Sequence, residues 1–200
     1  MEAFVLFGLI TLNGILFLIS SSSNQLRNQL FSEYAVIPQA IKRGEVYRLI
    51  TSAFFHNDIF HIFLNMYSLF ALFPTVILIL KGVVSLQYVL ITFLGLYFVS
   101  AVTAGLVSAG RKDQTVPSLG ASGAIFGLLG FLLSIGLLTL QSGGTELVRS
   151  IAFILIINFG VGLMPGFQID NRGHLGGLIG GVLFGFMLMA LMGFNLTYAV

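Results

Sequence analysis

Gly120-Ala121-Ser122-Gly123-Ala124-Ile125-Phe126-Gly127 lies near the start of an apolar stretch, residues 119–140, long enough to cross a bilayer. A second such stretch, residues 172–193, opens with Gly173-His174-Leu175-Gly176-Gly177. A lone Ser in a spanning helix usually only bonds back to a carbonyl one turn earlier. A Ser and a His that both start hydrocarbon-length segments are a different case. Ionisable residues inside a membrane are costly and mark functional sites by default, and a Ser needs a neighbouring base to become a nucleophile. The pair points to hydrolysis of a peptide bond within the membrane.

The rest of the chain agrees with a membrane setting. Its 200 residues are 57% hydrophobic and only 8% charged, with a mean hydropathy of +1.02, whereas soluble chains are about 25% charged. These values describe one polytopic membrane domain, residues 1–200. Six segments emerge from hydropathy and punctuation, at 3–20, 57–80, 83–108, 119–140, 146–164 and 172–193. The second and third are separated at Lys81-Gly82, and the fourth and fifth at Ser142-Gly143-Gly144. Pro165 to Asp170 leads into the His174 segment. The stretch Ala3 to Ser20 reads as the first spanning helix and not as a secretory signal, since it lacks a basic n-region and a small-residue cleavage site. With no cysteine, thiolate chemistry is excluded. A formal charge of +2 without a basic run gives no reason to expect nucleic acid as a partner.

The long polar stretch, about 21–50, mixes Arg27, Glu33, Lys42, Arg43, Glu45 and Arg48 with Leu26, Leu30, Phe31, Tyr34, Val36 and Ile37. Such interleaving suits a structured loop in the membrane interface, in contact with lipid.

Helix direction brings more residues into play. Segments two, four and six must run the same way, so His61, Asn65, Ser122 and His174 fall near one common side of the membrane. His61 and Asn65 are spaced i, i+4 and project from one helix face. Both carry N–H donors of the kind that acyl transfer aims at a developing oxyanion, and the backbone amides at the beginning of segment four add more. Gly173, Gly177, Gly181 and Gly185 recur every four residues on segment six, and Gly123 and Gly127 on segment four. Small residues at this spacing let helix backbones approach closely and offer a way to bring Ser122 to His174. No metal is expected: three His could bind zinc, but Asn65 and Ser122 would then be idle. Asp170, four residues before His174, could orient it if the helix began early; a Ser–His dyad without a third acid is the arrangement favoured.

These motifs together resemble the rhomboid family of intramembrane serine proteases over the whole length of the chain. The family pattern has G-x-S-G opening the fourth helix and a His followed by small residues on the sixth. A His five residues before H-x-x-x-N on the second helix is matched by His56, His61 and Asn65. The Trp-Arg pair of the family's first loop is matched by Tyr47-Arg48, and Phe126 stands where many relatives have a Tyr under the catalytic His. The resemblance implies an all-α membrane protein, a six-transmembrane-helix rhomboid-like bundle around a water-accessible cavity. It implies Ser122 as nucleophile, His174 as base, and His61 and Asn65 as oxyanion donors. Gly120, Gly123, Phe126, His56, Arg48 and Gly177 have supporting places. The expected partners are transmembrane protein substrates and membrane lipids, with no cofactor, in the cell membrane.

One feature of the charge pattern runs against that topology. Arg27, Lys42, Arg43, Arg48, Arg111, Lys112 and Arg172 lie on the side of the site, and Lys81 and Arg149 on the other. The positive-inside rule would turn the site to the cytoplasm, whereas bacterial members of the family open it outward; the family's orientation is the one followed. Two other functions compete with proteolysis. A rhomboid-like protein that binds membrane clients without cleaving them would be expected to lack the Ser or the His. A small transporter would be expected to show broken helices or internal pseudo-symmetry, and the two halves here do not resemble each other.

Overall fold

A computed structural model of the chain describes residues 1–113, 115–164 and 169–193. The described residues are helical, with no strand beyond one isolated bridge between Val36 and Ser118. The six expected segments appear as α1 (Glu2–Ser21), α5 (Ile59–Val83), α6 (Val89–Ala109), α7 (Ser122–Leu138), α8 (Gly144–Val161) and α9 (Asn171–Leu191). Five of the six are long and apolar enough to cross a membrane, the α6 span taking in the turn from Leu86; α7, at 17 residues, is the shorter exception.

Several helix ends shift from the sequence reading, and two of the shifts have a visible cause. The break between the second and third segments falls after Val83, not at Lys81-Gly82. Gly82 has open space where a side chain would be, and Lys81 in the last turn pairs with Glu2 at 2.7 Å, a cation where the helix dipole favours one. This pair also places the start of α1 beside the end of α5. The fourth helix begins at Ser122 and not at 119, because Gly120 has φ +119°, a left-handed conformation that no α-helix contains. Of the Pro165–Asp170 lead-in, residues 165–168 lie outside the described residues.

The polar stretch after α1 folds into α2 (Asn24–Tyr34), α3 (Pro38–Lys42) and α4 (Arg48–Thr51). Ser23 caps α2, its hydroxyl accepting the Leu26 N–H at 3.1 Å. Arg48 ties the stretch together. Its guanidinium donates to Glu45 and to the carbonyls of Ser32 and Ala35, at 2.7 and 3.1 Å, and the side chain is buried. Tyr47 adds a hydrogen bond to the Glu33 carbonyl at 3.0 Å. The bridge from Val36 to Ser118, 2.9 Å in both directions, then fastens this unit to the loop before α7.

The helix α7 is the centre of the bundle, buried along most of its length, with α9 and α6 against it. Hydrophobic burial does not drive helices together in lipid; close backbone packing does. Two faces of α9 supply it. A Cβ on Gly177 or Gly181 would overlap the carbonyl of Gly123 or Gly127 on α7, and one on Gly185 would overlap the Ser134 hydroxyl. Gly176 and Gly180 do the same against Val107 and Thr103 of α6. Below this seam, Phe73, Phe93 and Tyr97 fill the core between α5 and α6.

Candidate active site

Ser122 is the first residue of α7, and this follows from the loop before it. Gly120 turns the chain, and its backbone N–H donates to the Ser52 carbonyl at 2.9 Å. The His61 ring lies so close to Gly120 that any Cβ there would overlap its Nε2. The Ala121 N–H points at His56 Nε2, 3.4 Å away. Burial, and secondarily the neighbouring His61, hold the His56 imidazole down to about 3, so it is neutral and free to accept that hydrogen. The first amide of α7 to find an intrahelical partner is that of Ile125, and no side chain caps the helix. The N–H groups of Ser122, Gly123 and Ala124 are the orphan donors of a helix N-terminus, arrayed at the candidate nucleophile.

His174 belongs to the first turn of α9 and is 8% exposed. Its ring stacks on Phe126 with centroids 4.0 Å apart and planes 13° from parallel. Phe159 of α8 meets both rings edge-on, at 6.5 Å from His174 and 5.5 Å from Phe126. Phe126 is one turn along α7 from Ser122, and Gly177, three residues after His174, lies against the Gly123 carbonyl. The turns that carry Ser122 and His174 are therefore packed on each other. Among the described residues no hydrogen bond joins the two side chains, and His174 Nδ1 is buried without a partner. Catalytic hydrogen bonds are often long before substrate binds.

Among the described residues, Asp170 makes no hydrogen bond to the His174 ring. Its side chain accepts the Gly173 N–H at 2.9 Å, capping α9, and receives the hydroxyls of Ser108 and Ser118. Burial alone would raise its carboxyl, but the two hydroxyls, the Gly173 N–H and Arg111 hold it below the ordinary carboxylate range.

On α5, His61 and Asn65 sit one turn apart. Asn65 is 6% exposed and donates one amide hydrogen to the His61 carbonyl at 2.8 Å, leaving the second. The His56 and His61 rings meet edge to face at 4.9 Å. The structure thus brings His56, His61, Gly120 and the start of α7 together on one side, and Phe126, His174, Gly177 and Gly123 on the other. Arg48 makes its contacts within the 21–50 stretch instead. Sequence reasoning missed Asp58, which caps α5 and accepts the His61 N–H at 2.9 Å. An Asp just before an apolar run is a helix-start signal that would have found it. The Phe159 wall carried no such signal.

Comparison with known proteins gives a family. Residues 43–191 match the Rhomboid domain. The chain is 33% identical to Rhomboid-like protease 1 of Toxoplasma gondii over 153 residues, 75% of this chain and 50% of that protein. It is 32% identical to RHOMBOID-like protein 1 of Arabidopsis thaliana over 155 residues, 76% of this chain and 37% of that protein. With Rhomboid protease GluP of Bacillus subtilis it shares 36% identity over 141 residues, 70% of this chain and 26% of that protein. The chain thus spans half or less of the length of these relatives. Together with the apolar helices, the domain match makes this a multi-pass integral membrane protein. The chain belongs to the rhomboid family.

Proposed function

We propose that this protein is an intramembrane serine endopeptidase that cleaves transmembrane segments of other membrane proteins. The observation that carries the reading is the packing of the Ser122 turn on the His174 turn, with His174 stacked on Phe126 and Gly177 against the Gly123 carbonyl. Ser122 Oγ attacks the scissile carbonyl while His174 takes its proton, then returns it to the leaving amine. Negative charge on the carbonyl oxygen meets the free amides at the start of α7 and the side chains of His61 and Asn65. Water then attacks the acyl-enzyme, with His174 again as base. Phe126 holds the imidazole ring, Gly120 and His56 shape the loop, Gly123 and Gly177 admit the close helix crossing, and Arg48 braces the 21–50 stretch. The catalytic domain takes in residues 1–200, with the 21–50 stretch in the interface against lipid, and no cofactor takes part.

Substrates of this class have helices that unwind readily near the cut, with a small residue before it. The site opens outward from the cell membrane. The loop charges that argue against this orientation are in part engaged: Arg48 and Arg43 with Glu45, Arg172 with the Gly110 carbonyl. The test is incubation of the purified protein in detergent with a fluorescent fluorophosphonate. Wild type takes up the label and the Ser122→Ala variant does not. A wild-type protein that stays unlabelled and leaves a transmembrane reporter intact belongs instead to the silent client-binding class.

A further inference from the structure

Asp170 joins three parts of the molecule that the reaction scheme leaves unconnected. Its Oδ1 accepts the Gly173 N–H at 2.9 Å, one residue before His174. Its Oδ2 receives the hydroxyl of Ser118, four residues before Ser122, and that of Ser108 in the last turn of α6. Arg111 stands 4.0 Å from the same oxygen and also donates to the carbonyls of Val36 and Val116. Ser118 in turn pairs through its backbone with Val36. One carboxylate therefore links the loop that delivers the nucleophile to the turn that delivers the base.

Resting on the reading of Ser122 and His174 as a dyad, we propose that Asp170 is a positioning residue that sets the separation of nucleophile and base by clamping Ser118 to the first turn of α9. It does so without bonding the imidazole. The rest of the α7–α9 seam, glycines against α7 and the Phe126–His174 stack, fixes how close the helices come but not how the loop before Ser122 sits over α9. That loop enters α7 through Gly120, whose open conformations leave its path undetermined by local preference. A polar clamp at Ser118 removes this freedom. An ionised carboxylate is acceptor-only, so it can take the cap amide and both hydroxyls at once. A triad acid would instead spend an oxygen on His174 Nδ1, and that atom has no partner among the described residues.

Three variants test this: Asp170→Ala, Asp170→Asn and Ser118→Ala, each measured for fluorophosphonate labelling of Ser122, for kcat and KM on a transmembrane reporter, and for amide exchange at residues 118–123. Loss of the clamp displaces the loop on the ångström scale, for which losses of about 10²-fold in rate are known. Asp170→Ala should therefore lose on the order of 10² in kcat at unchanged KM. Asp170→Asn should lose less than Asp170→Ala, since its one oxygen can still cap α9 and its NH2 can donate to the Ser118 hydroxyl in place of accepting from it. Ser118→Ala leaves the helix cap whole, so it should fold, lose about tenfold in kcat by a partial version of the same displacement, and exchange faster at residues 118–123.

Wild-type labelling and exchange in folded Ser118→Ala would overturn the clamp. A loss in Asp170→Asn as large as about 10⁴, with an altered pH profile of kcat, would overturn it in favour of a triad acid. If the wild type neither labels nor cleaves, the protease reading falls. The exchange comparison then still decides whether Asp170 holds the loop.

Discussion

The seam where α7 meets α9 and α6 and the outer helices α1 and α8 are packed by different means. Along the seam, glycines stand wherever a Cβ would strike a neighbouring backbone, as at Gly177, Gly181 and Gly130. On the outside, a Cβ on Gly8, Gly14 or Gly160 would meet nothing within 4 Å beyond its own helix. The most apolar part of α8 has 11% of its residues buried, against 44% for the α6 span. The same residue type thus serves two ends. Inside it permits contact that fixes helix position, and outside it borders open space without a packing role. Ser122 and His174 are both mounted on the seam, where glycine contacts fix how closely the helices approach. The proposed oxyanion side chains are on α5, and the Phe159 wall is on the largely exposed α8. If function follows packing, substitutions should hurt in that order.

The largest effect is expected at the proposed dyad. Ser122→Ala and His174→Ala should each abolish cleavage of a transmembrane reporter, and the double variant should be no worse, because groups that act as a unit lose their effect together. Near-normal turnover by Ser122→Ala would remove the seam from the chemistry altogether. Next come the donors of α5. Loss of one oxyanion donor typically costs about 10²–10³ in rate, so His61→Ala should lower kcat by that order with the fold intact. Asn65→Ala should cost less, since one of its hydrogens already serves the His61 carbonyl. Unchanged activity in the His61→Ala, Asn65→Ala double variant would take α5 out of the mechanism.

A sharper form of the comparison sets glycine against glycine. Gly177→Val would drive a branched side chain into the Gly123 carbonyl and push His174 from Ser122; a shift of ~1 Å can cost about 10²-fold. Gly185→Val meets Ser134 further down the seam and should lower melting temperature more than kcat. Gly160→Val meets open space and should change stability by no more than about 0.5 kcal/mol, as surface substitutions usually do. The measurement is specific activity of folded protein, after gel filtration and with melting temperature recorded. Equal damage from Gly160→Val and Gly177→Val would erase the distinction drawn here.

What the sequence disclosed follows the same division. Spanning helices were legible because hydropathy and length are local properties, and the α7–α9 contact was legible because Gly177, Gly181 and Gly185 repeat at helical spacing. The second face, Gly176 and Gly180, was visible as residues but not as a contact with α6, since spacing does not say which helix lies opposite. The start of α7 at Ser122 was missed by three residues because the positive φ of Gly120 is set by the loop around it. Long-range polar ties were not legible at all. Nothing periodic links Ser108 or Ser118 to Asp170 across 62 and 52 residues, or Arg48 to the carbonyl of Ser32. Asp170 could be noticed beside His174, but which atoms its oxygens take depends on three segments meeting.

The smallest expected effect concerns the two rings around His174, one from each region. Phe126 lies on the seam and stacks face to face at 4.0 Å, while Phe159 on α8 reaches the imidazole only by its edge at 6.5 Å. Aromatic pairs of this kind contribute about 0.5–1.5 kcal/mol beyond their burial. If the stack holds the imidazole in its reactive orientation, Phe126→Leu should lower kcat by about two- to tenfold, the rate equivalent of that energy. Phe126→Tyr should keep the ring and most of the rate. Phe159→Leu should fall within about twofold of wild type, because an edge-on contact at 6.5 Å constrains the imidazole less than the stack does. Steady-state kcat on one reporter, compared across the three variants, decides it. A greater loss from Phe159→Leu than from Phe126→Leu would mean that the peripheral helix, and not the seam, orients the base.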